Sequence, residues 1–327
     1  KNHPVTGSIM MNFAANMLGL DNSATPMGLK AMNGLQELNT NKEEASNSMI
    51  MFLVLNTSGL TIVPISVMAY RAQAGAANPT DVFIPILIAT YFATVVGLIT
   101  VSIYQRINLL KNGLAIYLIG ITSILGLTVY GLMQLPKASL ETVTSVGGNF
   151  ILLSIIVTFF ILAFKKKVNV YESFIEGAKE GFKTTISIIS YLVGMLVAIG
   201  VFRASGTMEY VIDGMGWLFA SIGINTDFVP ALPTAFMKPL SGSGARGMML
   251  ETYQHYESLN LGYSGADHFV SKMASIFQGS TETTFYTIAV YYGAINIKKT
   301  RYTVQAGLLA DLAGIIAAVF IGYIFFH

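Results

Sequence analysis

The run Phe83-Ile84-Pro85-Ile86-Leu87-Ile88-Ala89-Thr90-Tyr91-Phe92-Ala93-Thr94-Val95-Val96-Gly97-Leu98-Ile99-Thr100-Val101-Ser102-Ile103 contains no charged side chain. As a helix rising 1.5 Å per residue it is long enough to cross a hydrocarbon core ~30 Å thick. Three further stretches, residues 113–133, 147–164 and 184–202, also lack any charge. Over the whole chain 53% of residues are hydrophobic and 11% charged, where a soluble protein carries roughly a quarter charged. So few charges cannot cover the surface of a soluble protein of this length. The sequence therefore reads as an all-α membrane protein, a polytopic helical bundle.

Working outward, seven full crossings are predicted, at about 46–70, 83–104, 113–134, 147–164, 184–203, 269–295 and 302–326. Two apolar segments, about 5–36 and 229–255, are interrupted by polar turns, Asp21-Asn22-Ser23-Ala24-Thr25-Pro26 and Pro239-Leu240-Ser241-Gly242-Ser243-Gly244. Each reads as helix, turn, helix. Thr25 with Pro26, and Ser243, sit where a hydroxyl caps a new helix. These segments are expected to be re-entrant hairpins, tolerated at membrane depth only when surrounded by protein or a water-filled cavity.

Basic residues set the expected orientation. Of the 19 Lys and Arg residues, twelve gather on one face: Lys1, Lys42, Arg106, Lys111, Lys165, Lys166, Lys167, Lys179, Lys183, Lys298, Lys299 and Arg301. Arg71, Lys137 and Arg203 lie opposite. The positive-inside rule makes the first face cytoplasmic and puts His327 outside. The expected location is the cytoplasmic (inner) membrane of a bacterium, with no cleavable signal peptide visible.

The chain also matches itself. At an offset of 216, Gly28 meets Gly244, Lys30 meets Arg246 and Met32 meets Met248; at 222, Ser58 meets Ser280, Thr61 meets Thr283 and Tyr70 meets Tyr292. A six-residue insertion in the second hairpin loop is expected to account for the change of offset. With the hairpins entering from opposite sides, this is an inverted-topology repeat, an arrangement common in secondary transporters. The expected division is 1–112, a first gate repeat lacking its leading segment; 113–167, two linking transmembrane helices; and 168–327, a second gate repeat. The leading helix of the second half has no counterpart, so a helix upstream of Lys1 is expected.

Two long crossings carry polar residues at their centres, Asn56-Thr57-Ser58-Gly59 and Gln278-Gly279-Ser280-Thr281-Glu282. Unwound backbone with amides and hydroxyls can bind an ion or polar solute, so Asn56, Thr57, Ser58, Gln278, Ser280, Thr281 and Glu282 are candidate substrate-binding residues. Alternatively, such hydroxyls bond back to their own helix or join helices, each for ~0.6 to 2 kcal/mol. Glu282 is the sharpest candidate, because a carboxylate at membrane depth normally faces a cavity or a partner. It could pair with Lys30 or Arg246, cations near helix N-termini where the macrodipole disfavours them. Glu282 and Asp311 are possible coupling carboxylates for a proton or sodium. Asn22, Ser23, Thr25, Lys30, Ser241, Ser243 and Arg246 are candidate hairpin gates, and Asn12 and Asn16 could line the first hairpin's share.

Other chemistries find little support. Zero cysteines exclude disulfides and thiolate metal sites, and His3, His255, His268 and His327 show no metal-ligand spacing. Ser243 between glycines has no histidine within any predicted full crossing to serve as its base. No phosphate-binding loop appears. The chain is expected to be no enzyme, to need no cofactor or metal, and to bind no nucleic acid; Lys165-Lys166-Lys167 reads as a membrane-surface anchor.

Specific stretches add a resemblance. Met11-Asn12-Phe13-Ala14-Ala15-Asn16-Met17-Leu18-Gly19-Leu20, then Ala24-Thr25-Pro26 and Gly28-Leu29-Lys30-Ala31-Met32, resembles spore maturation protein A. Tyr171-Glu172-Ser173-Phe174-Ile175-Glu176-Gly177-Ala178-Lys179-Glu180-Gly181 and Lys238-Pro239-Leu240-Ser241-Gly242-Ser243-Gly244-Ala245-Arg246-Gly247 resemble spore maturation protein B. The chain looks like a fusion of the two. That resemblance implies the nucleoside-recognition, or gate, region, related to concentrative nucleoside transporters and the membrane part of the bacterial ferrous-iron transporter. It does not fix a substrate, because function belongs to sites and not folds. The expected function is a secondary transporter or carrier for a small polar solute across the membrane, with a nucleoside-like substrate among the candidates. The alternative is a non-transporting membrane scaffold or accessory protein in cell-envelope or spore maturation. Expected partners are membrane lipid, the solute, and further copies or other membrane proteins.

Overall fold

The computed structural model describes residues 3–19, 24–109 and 114–327. Helix α1 (Val5–Met17) folds back on α2 (Thr25–Glu37), followed by α3 (Asn47–Thr57), α4 (Ile65–Gln73) and α5 (Phe83–Gln105). Helices α6 (Leu114–Met133), α7 (Lys137–Lys165), α8 (Val170–Ala204) and α9 (Thr207–Ser221) link this part to the next. A 3₁₀ turn (Val229–Ala231) leads into α10 (Leu232–Met237), which packs on α11 (Gly242–Ser258), ahead of α12 (Phe269–Gly279), α13 (Thr284–Ala294) and α14 (Thr303–Phe326). The described residues contain no strand, only an isolated bridge between Glu44 and Lys299. Hairpin, split helix, long helix thus occurs twice, and α3 and α12 coincide end for end at an offset of 222.

The centre of the bundle is α5 against α14. They run antiparallel: Ile88 clusters with Ile321 and Phe325 at one end, and Tyr104 stacks on Tyr302 at 4.3 Å at the other. We call these the 327 end and the 301 end. Small residues let the backbones approach, as in other membrane bundles. A Cβ on Gly97 would lie 3.2 Å from Ala310 Cβ, and one on Gly314 would meet Ala93 at 3.1 Å and Thr281 at 2.8 Å. Helix α3 begins at the 301 end, where its Asn47 accepts from Arg301 and Gln105; α12 begins at the 327 end, where Phe269 packs on Tyr323 and His327. Helices α3 and α12 therefore run in opposite directions.

Among the described residues, four helical stretches are long and apolar enough to span a bilayer: Phe83–Gln105, Ala115–Leu132, Val146–Lys165 and Thr303–Phe326. Half of the α5 stretch is buried by protein, against 6% of the α7 stretch. Apolar side chains such as Ile116, Phe159 and Phe164 project from α6 and α7, a surface suited to lipid and not to water. The chain is a multi-pass, all-α membrane protein.

Crossings 46–70 and 269–295 are broken at their polar centres as expected, each being two short helices separated by a non-helical stretch, α3/α4 and α12/α13. Gly59 at φ +58° stops α3, and Pro64, which has no N–H to donate, precedes α4. Other local expectations are corrected. The expected crossing at 184–203 is the second half of the 35-residue α8. Thr25 does not cap α2: helical backbone already begins at Ala24, and no side chain caps it. In the second hairpin the cap is Ser241, whose extended backbone lets Oγ accept from Gly244 N–H at 3.0 Å; Ser243 lies inside the first turn. The polar turn at 20–23, with Asn22 and Ser23, lies outside the described residues.

Candidate functional site

The two helix breaks touch. Glu282 N–H donates to Thr57 O at 2.9 Å, joining the second break to the end of α3. Gly59 makes this approach possible, since a Cβ there would sit 2.9 Å from Glu282 Cγ. Each hairpin is also seated on its own half's break. Met17 O accepts from Ile62 N–H at 2.7 Å and Val63 N–H at 3.2 Å, and Pro239 O accepts from Phe285 N–H at 3.0 Å. The Val63–Met17 and Phe285–Pro239 bonds are related by the 222-residue offset at both ends. The offset of 222 therefore already holds ahead of the hairpin tips. It falls to 216 beyond them and returns to 222 by α12, so the expected single insertion does not describe the spacing.

Where these elements meet is a cavity of about 40 Å³. Gly19 of the first hairpin and Lys238 and Arg246 of the second line it, with Thr61, Pro64, Ser66 and Val67 from the first break and α4. Gln278, Gly279, Thr281 and Glu282 complete it from the second break. Both hairpins and both breaks thus contribute. Two cations face one carboxylate, Arg246 lies over the Tyr70 ring at 5.4 Å, and Gln278 Oε1 is buried with no hydrogen-bond partner among the described residues. A buried amide oxygen without a donor loses its hydration uncompensated, typically ~1–3 kcal/mol. The site can offer both donors and acceptors to a small polar group.

The remaining candidates separate. Asn12 donates to Ala24 O at 2.9 Å and Tyr291 OH at 3.3 Å, and accepts from Asn56. This is a closed amide cluster beside the cavity, so Asn56 is not in the lining. Thr57, Ser58 and Ser280 are fully buried and donate to Val54 O, Leu55 O and Phe277 O, the back-bonded alternative. Asp311, 2% exposed, lies in α14 behind the second break, its Oδ2 accepting from Thr284 Oγ1 at 2.6 Å. Lys30 is exposed on α2, away from the cavity lining, while Thr25 is half-buried. Asn16 is on the first hairpin, its buried Nδ2 without a hydrogen-bond partner among the described residues. Ser241 and Ser243 oxygens lie 3.3 Å apart at the second tip, outside the lining.

Sequence reasoning missed Lys238, Ser66, Thr61 and Gly19. Lys238 carried the one available signal, a cation beside Pro239 in an apolar hairpin.

Comparison with known proteins places this geometry in context. Residues 185–298 match the family model Gate, described as nucleoside recognition, a segment that includes Lys238, Arg246, Gln278, Thr281 and Glu282. Spore maturation protein B of Bacillus subtilis (strain 168) is 46% identical over 156 residues, 48% of this chain and 82% of that protein. Spore maturation protein A of the same organism is 42% identical over 111 residues, 34% of this chain and 56% of that protein. The chain thus spans just over half of the A protein's length. No solved structure matches. With 82% of the B protein covered and the A protein matched as well, the chain belongs to the spore maturation protein family, with A-like and B-like sequence in one polypeptide.

Proposed function

We propose that this chain is a secondary carrier for a small polar solute. One observation carries the reading: two hairpins and two helix breaks, from halves whose equivalent helices α3 and α12 run in opposite directions, meet at one polar cavity. Antiparallel halves around a central site are the architecture of inverted-repeat transporters, and half-helix ends there can bind substrate or ions. At about 40 Å³ the cavity admits water but no nucleoside, ligand pockets being ~300 Å³ or more. Loading therefore requires movement, and the hairpin seats at Met17 and Pro239 are the bonds that a moving hairpin breaks. The two cations against one carboxylate favour a solute with an anionic or acceptor-rich group, and the Gate description makes nucleosides the first class to test.

The test is thermal stability of the detergent-purified chain with nucleosides, nucleobases and small dicarboxylates, with and without sodium and at two pH values. A ligand of the folded state at a hundred times its Kd stabilises by ~2.7 kcal/mol. The expected result is a shift abolished by Glu282→Gln and Lys238→Met. A shift retained in both variants places binding elsewhere.

A second reading, a scaffold or accessory protein of envelope or spore maturation, is favoured by the self-satisfied Asn12–Asn56–Tyr291 cluster and the back-bonded Thr57, Ser58 and Ser280. It gains if no solute shifts stability and the chain co-purifies stoichiometrically with another envelope protein. Orientation has a direct test, because the chain has no cysteine. With the 301 end cytoplasmic, Asp227→Cys is labelled in intact cells by an impermeant maleimide and Lys298→Cys is not.

A further inference from the structure

We propose that Asp311, with the hydroxyl oxygens of Thr284 and Thr57, forms a binding site for one monovalent cation, a sodium ion or a proton. That this cation drives transport rests on the carrier reading; that it binds does not.

The starting point is a carboxyl group half provided for. Thr284 satisfies Oδ2, while Oδ1, equally buried, has no hydrogen-bond partner among the described residues. An ionised carboxylate left this way is strongly disfavoured away from water. A bound cation or proton removes the conflict.

Further oxygens border the same stretch of α14. One turn before Asp311, a Cβ built on Gly307 would lie 3.5 Å from Thr57 Oγ1 and 3.8 Å from Thr284 Oγ1. One turn after it, a Cβ on Gly314 would lie 3.1 Å from the carbonyl oxygen of Ser280. Thr57 spends its proton on Val54 O and Thr284 spends its own on Asp311, so both leave lone pairs for a cation. Thr57 and Gly279 also end α3 and α12, whose C-terminal carbonyls carry partial negative charge. Oxygen-rich half-helix ends of this kind suit sodium or a proton.

The charged groups nearby leave Oδ1 without a hydrogen bond among the described residues. Lys238 and Glu282 act on Asp311 with opposite signs, Lys238 favouring the carboxylate. On the other helices packed against α14, Lys272 of α12 pairs with Asp81, and Tyr91 of α5 turns its hydroxyl to Leu118 and Thr122. On α13, Tyr292 bonds Thr303 and Tyr291 bonds Asn12, and α3 carries no titratable side chain. The position equivalent to Asp311 in α5 is Ala89, so the site occurs once per chain.

The experiment measures the unfolding midpoint of the full chain against sodium, with choline holding ionic strength constant, and against pH, for wild type and Asp311→Asn. A sodium site makes the wild-type midpoint rise with sodium. A proton site leaves it flat in sodium but adds stability at low pH that disappears as pH rises. Either response is expected to be lost in Asp311→Asn. Equal sodium and pH responses in folded wild type and variant overturn the proposal. If Asp311→Asn fails to fold, Thr284→Val and Thr284→Ser decide: the valine variant must weaken the response about tenfold while serine retains it, and equal responses again overturn it. Solute shifts measured alongside separate the two readings. Cation binding without any solute response leaves the site and removes the carrier, whereas a solute shift independent of cation removes the coupling.

Discussion

The two ends of the α5–α14 bundle are held by ion pairs of opposite character. At the 327 end, Arg71 has no exposed side-chain surface and bonds Asp81 at 3.0 Å, Asp267 at 3.1 Å and Ala266 O at 2.6 Å, while Lys272 completes the group on Asp81 at 2.9 Å. At the 301 end, Lys298 and Glu43 meet at 2.6 Å but are 70% and 63% exposed, and Arg301 approaches Glu44 at 3.6 Å. Both ends join the two halves at equivalent positions: Ala45 N–H donates to Lys299 O, and Ala77 N–H donates to the Asp267 carboxylate, positions related by the 222 offset. The ion pairs beside these bonds differ: those of Arg71 and Lys272 with Asp81 lie within the protein, that of Lys298 with Glu43 in water. A buried cation with several acceptors is hard to separate, because separation strands charge without solvent. An exposed pair gives up little when it opens, since water and salt replace the partner.

The largest expected effect comes from breaking the buried end. Arg71→Ala leaves Asp81 with only Lys272 and leaves Asp267 without its guanidinium, and removing one member of a buried pair destabilises by ~3–5 kcal/mol. Chemical unfolding in detergent is the measurement. A loss below ~1 kcal/mol would show that water already reaches this cluster.

Next comes the exposed end. Lys298→Ala is expected to lower stability by less than ~1 kcal/mol at low salt, with the difference shrinking as salt is added. The backbone bonds Lys298 N–H to Glu43 O and Ala45 N–H to Lys299 O remain available in the variant. Hydrogen exchange sharpens the contrast: the exposed amides of Lys298 and Lys299 should exchange faster than the amide of buried Asp81, which donates to Asn78 O. The reverse order would mean that the 327 end opens first despite its buried charges.

How much of this was legible in the sequence depends on whether one helix alone decides the matter. The uncharged runs of α5 and α14 state their own burial, and Gly59, Pro64 and Gly279 mark the breaks without reference to the rest of the chain. Gln278, Thr281, Glu282 and Arg246 were legible as site residues because a polar group at membrane depth needs a reason. Asn56 obeyed the same logic yet lies in a dry cluster, since Asn12 arrives from α1 to bond it. That meeting is tertiary, as is the arrival of Lys238 and Gly19 at the cavity. Lys30 matched Arg246 by offset but sits on the exposed side of α2, a choice of helix face that the internal match does not encode. Ser241 and Ser243 are two residues apart with the same hydroxyl; only the extended backbone of Ser241 makes it the cap.

The smallest effect belongs to a second ion pair at the 327 end that, unlike the Arg71 cluster, remains in water. His327 Nε2 lies 2.8 Å from Asp227 Oδ2, with both side chains about half exposed. The His327 hydrogen bond, helped by Asn225, holds the Asp227 carboxyl below its ordinary value, while partial desolvation opposes it. A depressed folded-state value means that the carboxylate form is favoured in the folded chain. Its contribution is therefore complete above the unfolded value of ~3.9 and is lost as pH falls through the lower folded one. His327→Ala should accordingly remove this small contribution in full at neutral pH and make the acid limb of the profile slightly shallower below about pH 4. The same acid titration applied to Arg71→Ala tests the contrast within one end of the molecule. Its loss at neutral pH should be far larger, because there the missing charge was buried.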